Sequence, residues 1–302
     1  MNATLDWLGC ATFRLTIGEL VVFLDAYLDR VPSAKPVGLG VDDVAEAQWI
    51  VIGHSHFDHL YGAERIARRT GATVVGSYET VRVLQAVGVP ARQLMAVAGG
   101  ETLRLNEAVA MKVFPSQHSC VWSHRLMADA DAVCLGDLGV VHQERQARMQ
   151  ELFDWLTSLG PEVVDHLRAS SQGALGDGGP LLYWFQTPEG SLLYQDTSGC
   201  WTSLLRDLRP DVAILAAAGR GNLDGEPIQG SLAQFVAREV ELMRARRVFL
   251  GHHDDWLPGF SKAIDVRPIR EEVARRVPRA ELVEMEYLAA FPIFANLPAR
   301  PQ

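Results

Sequence analysis

The 302-residue chain has little cysteine: Cys10, Cys120, Cys134 and Cys200 are widely spaced, and no CxxC pair occurs. That argues against a disulfide framework and suits reduced thiols in a cytoplasm. Long apolar runs are lacking too. The longest, "VAILAAAG" from Val212 to Gly219, is far too short to span a bilayer. The N-terminal "MNATLDWLGCATFRL" has neither the basic segment nor the apolar core of a signal peptide. A cytoplasmic protein with no membrane span is the expectation. Positive charge is scarce: 28 Lys plus Arg stand against 37 Asp plus Glu, a formal charge of −9, and the basic cluster "RARR" (Arg244 to Arg247) is short. No nucleic-acid partner is expected on that balance. Repeats of 20 to 50 residues and low-complexity segments are absent as well.

What remains is an ordinary globular composition, 48% hydrophobic and 22% charged, in a chain long enough to bury a substantial core. The first thirty residues alternate like strands, with a turn at Ile17-Gly18-Glu19, and "RVPSAKPVGLG" follows as a Pro/Gly-rich loop. "AQWIVIGH" reads as a short apolar strand. Helical patterns cover Ala63 to Arg69 and Glu79 to Val87, with strand-like "ATVVGS" between them. "TLRLN" and "VAMKVFPSQHS" read as further strands. From Val121 to about Pro180 the texture becomes helical. Met149, Leu152, Phe153 and Leu156 fall on one face of a helix, and Pro161 is placed as a first helical residue. "PLLYWFQTPEGSLLYQD" reads as a hairpin, "PDVAILAAAG" as a buried strand, "SLAQFVAREVELMRARR" as a helix with Leu232, Phe235, Val236 and Met243 on one face, and "VFLGHHDDW" as a strand. This alternation of strands and helices is an α/β pattern.

Chemistry gathers at strand ends. "IVIGHSHFDH", "VFPSQHS" and "VFLGHH" end in histidine, and "SLLYQD" ends in Asp196. Strand ends along one sheet edge bring distant residues into one site. Imidazole and carboxylate are the donors that zinc and neighbouring divalent metals prefer. His54 and His56 are two apart, so in extended backbone they share a direction. Asp58 and His59 come just before a helical pattern, so a turn there can aim them at a neighbouring point. One segment can thus feed two metals, which in hydrolytic sites lie about 3.5–4 Å apart.

"HSHFDH" (54–59) matches the HxHxDH motif of the metallo-β-lactamase superfamily, and the chain resembles that family in order: Asp25 in "FLDAYLD", Gly62, His118, Asp196 and a late histidine. "WLGCATFRL", "FLDAYLD" and "GHHDDW" resemble more narrowly its UlaG-like branch of metal-dependent hydrolases, which includes a sugar-phosphate lactonase and, more distantly, a phospholipid phosphodiesterase. The resemblance covers most of the chain and is weakest at 121–180. It implies an αβ/βα sandwich in one domain (1–302), with 121–180 as a helical insertion or lid. It implies a first metal held by His54, His56 and His118, a second held by Asp58, His59 and a late histidine, and Asp196 bridging them. His252 is the preferred late ligand, because "HHDDW" then places His253 in the family's aromatic slot. Asp25 would orient ligands. Gln195 departs from the glycine often found before the aspartate, which should alter the loop more than the ligation.

Two divalent ions, zinc by default and manganese or iron as alternatives, would then serve a metal-dependent hydrolase. A bridging hydroxide would attack an ester, lactone, amide or phosphodiester of a small-molecule substrate, with Asp58 able to accept a proton. Two alternatives stay open. One is a di-iron oxidoreductase of the same fold, disfavoured by His56, where such relatives typically carry Glu, and by the lack of a flavin domain. The other is a non-catalytic metal- or ligand-binding protein. A homo-oligomer is compatible with all of them. His124, His142 and His166 match no motif and read as surface or locally bonded. Cys120 reads as a small buried group. Met149, Phe153 and Leu156 read as packing, and "TSG" after Asp196 as a plain turn. Trp122 and Trp155 are ambiguous, and Trp256 reads equally well as core or pocket wall.

Overall fold

The computed structural model describes residues 2–120 and 141–301. Trp122, His124 and Cys134 lie outside them. The chain opens with an antiparallel meander, β1 (Ala3–Trp7), β2 (Phe13–Ile17) and β3 (Leu20–Leu24). The turn expected at Gly18 is there, with its φ of 59° in the region glycine favours. Parallel strands β4 (Trp49–Val51), β5 (Thr73–Gly76) and β6 (Leu94–Ala96) extend this first sheet. Between them run α1 (Phe57–Leu60), α2 (Ala63–Thr70) and α3 (Tyr78–Ala86).

The second sheet begins with β7 (Thr102–Arg104) and β8 (Ala110–Pro115). Helices α4 (His142–Thr157) and α5 (Pro161–Ser170) come next, with Pro161 at the first position as expected. Then the hairpin β9 (Leu181–Gln186) and β10 (Ser191–Gln195) pairs with β8. A small sheet joins β11 (Gly199–Cys200), β13 (Asn222–Leu223) and β14 (Glu226–Pro227). Helix α6 (Thr202–Leu205) and strand β12 (Val212–Ala216) lie among these in sequence. Helix α7 (Leu232–Met243), strand β15 (Arg247–Gly251), helix α8 (Arg267–Arg276) and strand β16 (Glu281–Val283) complete the second sheet and its cover. Strand β17 (Phe291–Pro292) returns to pair with β1.

Two seven-stranded sheets therefore face each other, in the orders β17-β1-β2-β3-β4-β5-β6 and β16-β15-β12-β10-β9-β8-β7. Leu5, Phe13, Leu15, Val22 and Leu24 of the first meet Met111, Tyr183, Phe185, Tyr194 and Ile214 of the second in one core. The outer faces are buried too. Phe23, Ile50, Ile52 and Val74 pack against Ile66, Val83 and Leu84. Ala213, Leu215 and Val248 pack against Phe235, Val236, Val240 and Ile269. A strand buried on both faces needs apolar residues at every position, which is why "LVVFL" and "VAILA" show no alternation. The architecture is the αβ/βα sandwich.

Helix α4 departs in one respect from the expected face. Leu152 and Leu156 are buried, but Phe153 is 44% exposed. The buried stripe of this helix lies along Leu152 and Leu156, with Met149 partly covered, and turns Phe153 to solvent.

Candidate metal centre

All the chemistry collects where strands of both sheets end. Asp25 follows β3, His54 follows β4, His118 follows β8, Asp196 follows β10 and His252 follows β15. His56 caps α1, whose single turn carries Asp58 and His59. Gly62 lets the chain leave this turn: its φ is 108°, and a Cβ there would stand 2.5 Å from the Ala26 carbonyl oxygen.

Three imidazoles form a near-equilateral group. The His54, His56 and His118 ring centroids are each 4.7 Å apart. Their donor atoms converge within 4.8 Å, with His54 Nε2 only 3.0 Å from His56 Nδ1. Beside them, Asp58 Oδ2 lies 3.2 Å from His252 Nε2 and 3.5 Å from His59 Nε2. The 3.9 Å between the His54 and His59 ring centroids brings the two groups side by side.

The outward nitrogens of these rings are occupied. His54 Nδ1 donates to Asp196 Oδ2 at 2.6 Å, His118 Nδ1 to the Ser119 carbonyl at 2.8 Å, and His59 Nδ1 to Asp25 Oδ2 at 2.6 Å. A carboxylate or carbonyl on Nδ1 fixes the tautomer and leaves the Nε2 lone pair free to ligate. Asp25 is itself pinned by the Tyr194 hydroxyl at 2.6 Å and the Gly53 amide at 2.8 Å. Asp196 Oδ1 is buried with no hydrogen-bond partner among the described residues, an orphan that a cation would satisfy.

The electrostatics point the same way. Burial, then His59, His56 and His118, hold His54 well below the usual imidazole range. Burial and His118 bring His56 down to about 4. Burial alone would raise Asp58, yet His59 and the hydrogen bond from His252 outweigh it and hold the carboxyl well below its ordinary value. Burial raises Asp25 to about 6, with His59 opposing. At His59 burial is outweighed by Asp58 and Asp25, which hold its imidazole well above the usual range. His54 and His56, kept neutral, stand with these buried carboxylates in a donor set suited to divalent metal.

Comparison with known proteins agrees with this geometry. A family model described as "Beta-lactamase superfamily domain" matches residues 21–157. A solved metallo hydrolase from Ignicoccus hospitalis superposes with a TM-score of 0.61 at 15% identity, covering 95% of this chain and 96% of that one. The chain is a metallo-β-lactamase-fold protein. A "UPF0173 metal-dependent hydrolase" of Pyrobaculum islandicum is 32% identical over 113 residues, 37% of this chain and 49% of the relative. The chain thus spans about half the length of the curated relatives it matches. The di-iron β-hydroxylase CmlA of Streptomyces venezuelae also shares the fold, with a TM-score of 0.57 at 14% identity over 95% of this chain and 53% of that one.

Every residue named from the sequence as a ligand lies in this one cluster. Of the late pair, His252 turns inward on a backbone with φ 62°, while His253 stacks on Trp7 at 4.3 Å between centroids. Trp256 is buried behind His252 at 5.3 Å between rings and belongs to a core with Tyr27, Leu156 and Leu167. His166 is locally bonded, 2.8 Å from the Tyr27 hydroxyl. Cys120 is buried. The "TSG" loop spends its groups internally: Thr197 Oγ1 accepts from the Ser119 amide, and Ser198 Oγ donates to the Ala216 carbonyl. Gln195 ties this loop to α7, donating to the Gly199 carbonyl at 2.6 Å and to Glu239 at 2.8 Å.

Two participants have no signal in the ligand motif. Gly53 forms the floor under Asp196. Cys10 places its sulfur with the ligating atoms of Asp58 and His252, all within 4.8 Å of one another. The cue for Gly53 is its place before the first histidine. Cys10 had only its membership of "WLGCATFRL".

Proposed function

We propose that the protein is a dinuclear metal-dependent hydrolase of a small ester, lactone, amide or phosphodiester. The observation that carries this reading is the set of imidazoles of His54, His59 and His118, each backed by an acceptor on Nδ1 and gathered with Asp58 in one cluster of donors. His54, His56 and His118 would hold the first cation; Asp58, His59 and His252 would hold the second. Asp196 stands between them with its free Oδ1. Zinc is the default, with manganese or iron compatible with the same donors. Such ions, when bound, supply an activated water and polarise the substrate oxygen.

The chain's own residues do the rest. Asp58 would take a proton from the attacking water and pass it to the leaving group. Asp25 and Tyr194 hold His59 in place. The described part of the 121–180 segment, 141–180, would shape substrate access: Leu152, Leu156, Val163 and Leu167 of α4 and α5 pack with Tyr27 and Trp256 beside the site, and the Asp177 carbonyl accepts from the Ser55 amide. The relatives' description as metal-dependent hydrolases supports this reading. His56, where di-iron oxygen-reducing relatives typically carry glutamate, weighs against the oxidoreductase alternative.

The test is turnover by metal-reconstituted protein on matched chromogenic phosphodiesters and lactones, with His54→Ala as control. Activity on one class that vanishes in the variant supports the proposal. Silence on both with two metals bound counts against it, and favours a protein that binds metal without reacting.

A further inference from the structure

We propose that Cys10 is a sulfur ligand of the second cation position, so that this position carries thiolate as well as carboxylate and imidazole. The inference deepens the two-metal reading and rests on it.

Cys10 is fully buried in the turn between β1 and β2. Its φ is 47°, in the left-handed region that a non-glycine residue adopts only where the surroundings impose it. The surroundings do impose it. The Cys10 amide donates to Asp254 Oδ1 at 3.0 Å, and its carbonyl accepts from the His252 amide at 2.7 Å and from Trp7 Nε1 at 3.0 Å. Asp254 is held in turn by Arg30 at 2.8 Å and by the Tyr287 hydroxyl at 2.6 Å. Five residues thus fix one strained peptide.

The result is to point the sulfur at the metal centre. Sγ sits with the ligating atoms of Asp58 and His252 in a group whose atoms lie within 4.8 Å of each other. Its hydrogen bond to the Asp58 carbonyl, at 3.5 Å, is of ordinary length for an S–H donor, which is intrinsically weak and readily given up for a metal bond. The buried Oδ1 of Asp196, without a hydrogen-bond partner among the described residues, is an independent observation in this cluster that suits a cation.

Ligation would replace the S–H bond with a sulfur–metal bond, the proton leaving to solvent. Thiolate is a soft donor, so the second position would favour zinc over manganese or magnesium. Together with Asp58, His59 and His252 it would reach four protein donors. The histidine-only position would keep fewer, and would be the one with room for substrate.

Cobalt(II) titration reads this directly. Wild-type protein loaded with two cobalt ions should show a near-ultraviolet sulfur-to-cobalt band. Cys10→Ser should lose that band, keep the ion held by His54, His56 and His118, and bind the second at least tenfold more weakly. X-ray absorption of the zinc-loaded wild type provides a reading that needs no variant, with a sulfur neighbour expected at about 2.3 Å. Two bound ions with no band and no sulfur neighbour would overturn the role of Cys10 and leave the dinuclear reading standing. A single bound ion without the band would overturn both. A band that survives in a folded Cys10→Ser protein would assign the sulfur elsewhere and also end the proposal.

Discussion

Gly53 and Asp196 are in direct contact: a Cβ at position 53 would lie 2.0 Å from Asp196 Oδ2 and 2.1 Å from Cγ. The residue before the first histidine is therefore a cradle for a carboxylate that arrives 143 residues later in the chain. Gly53→Ala must push Asp196 off His54 Nδ1. Loss of a partner that orients a ligand typically costs about 10–100-fold in metal affinity or activity. Competition with a chromogenic chelator should show that drop for Gly53→Ala, and unchanged affinity would contradict the assignment.

Asp25 offers a second check on ligand orientation. Asp25→Ala removes the nearer acceptor from His59 Nδ1, leaving Asp196 Oδ2 at 3.3 Å, and leaves the Tyr194 hydroxyl to the Ala11 carbonyl at 2.8 Å. The same loss of about 10–100-fold is expected, confined to the position that His59 serves. Tyr194→Phe leaves the carboxylate in place and should cost less. A metal titration resolving two affinities would separate these outcomes, and equal loss at both positions would speak against a role through His59.

Glu239 sets a pH dependence of stability away from the ligands. Burial raises its carboxyl to about 8, and it is neutral when the protein is folded near pH 7. Unfolded, it would ionise near the ordinary carboxylate range. Between those two values the folded state binds the extra proton, so stability falls as pH rises, by up to about 1.4 kcal/mol per pH unit for this group. Below the unfolded value its contribution is fully present; above about 8 it is gone. Thermal melting of metal-free Glu239→Gln should decline less steeply from pH 5 to 8 than wild type. Parallel curves would refute the buried neutral acid.

The α4 surface yields a paired comparison. Leu156 is 4% exposed and Phe153 44%. Leu156→Ala should destabilise by about 2–5 kcal/mol in denaturant unfolding. Phe153→Ala should stay within about 0.5 kcal/mol. The reverse order would mean that α4 presents its other face to Tyr27 and Trp256.

The strands and the convergence of the candidate ligands were legible in the sequence for physical reasons that differ. Fully apolar "LVVFL" and "VAILA" announce strands buried on both faces. "HSHFDH" announces ligands because its donors are close in the chain and need little help from tertiary structure to converge. The choice between His252 and His253 is of another kind. Adjacent identical side chains are separated only by a left-handed backbone at His252 and by the ring of Trp7, and neither is a local property. Cys10 was hidden for the same reason: its approach to Asp58 spans 48 residues, and to His252 far more. Phe153 sits at the margin of an apolar stripe, where periodicity fails to say which edge meets the core.

The proposed ligands do not come from one sheet. Cys10, His54, His56, Asp58 and His59 ride on the first, while His118, Asp196 and His252 ride on the second. Each cation would therefore act as a rivet through the seam of the sandwich at one rim only. Without metal the same rim is still laced by His54 to Asp196, by the His252 amide to the Cys10 carbonyl and by Tyr194 to Asp25, so a cation would tighten a seam already stitched, like a clasp on a book already bound.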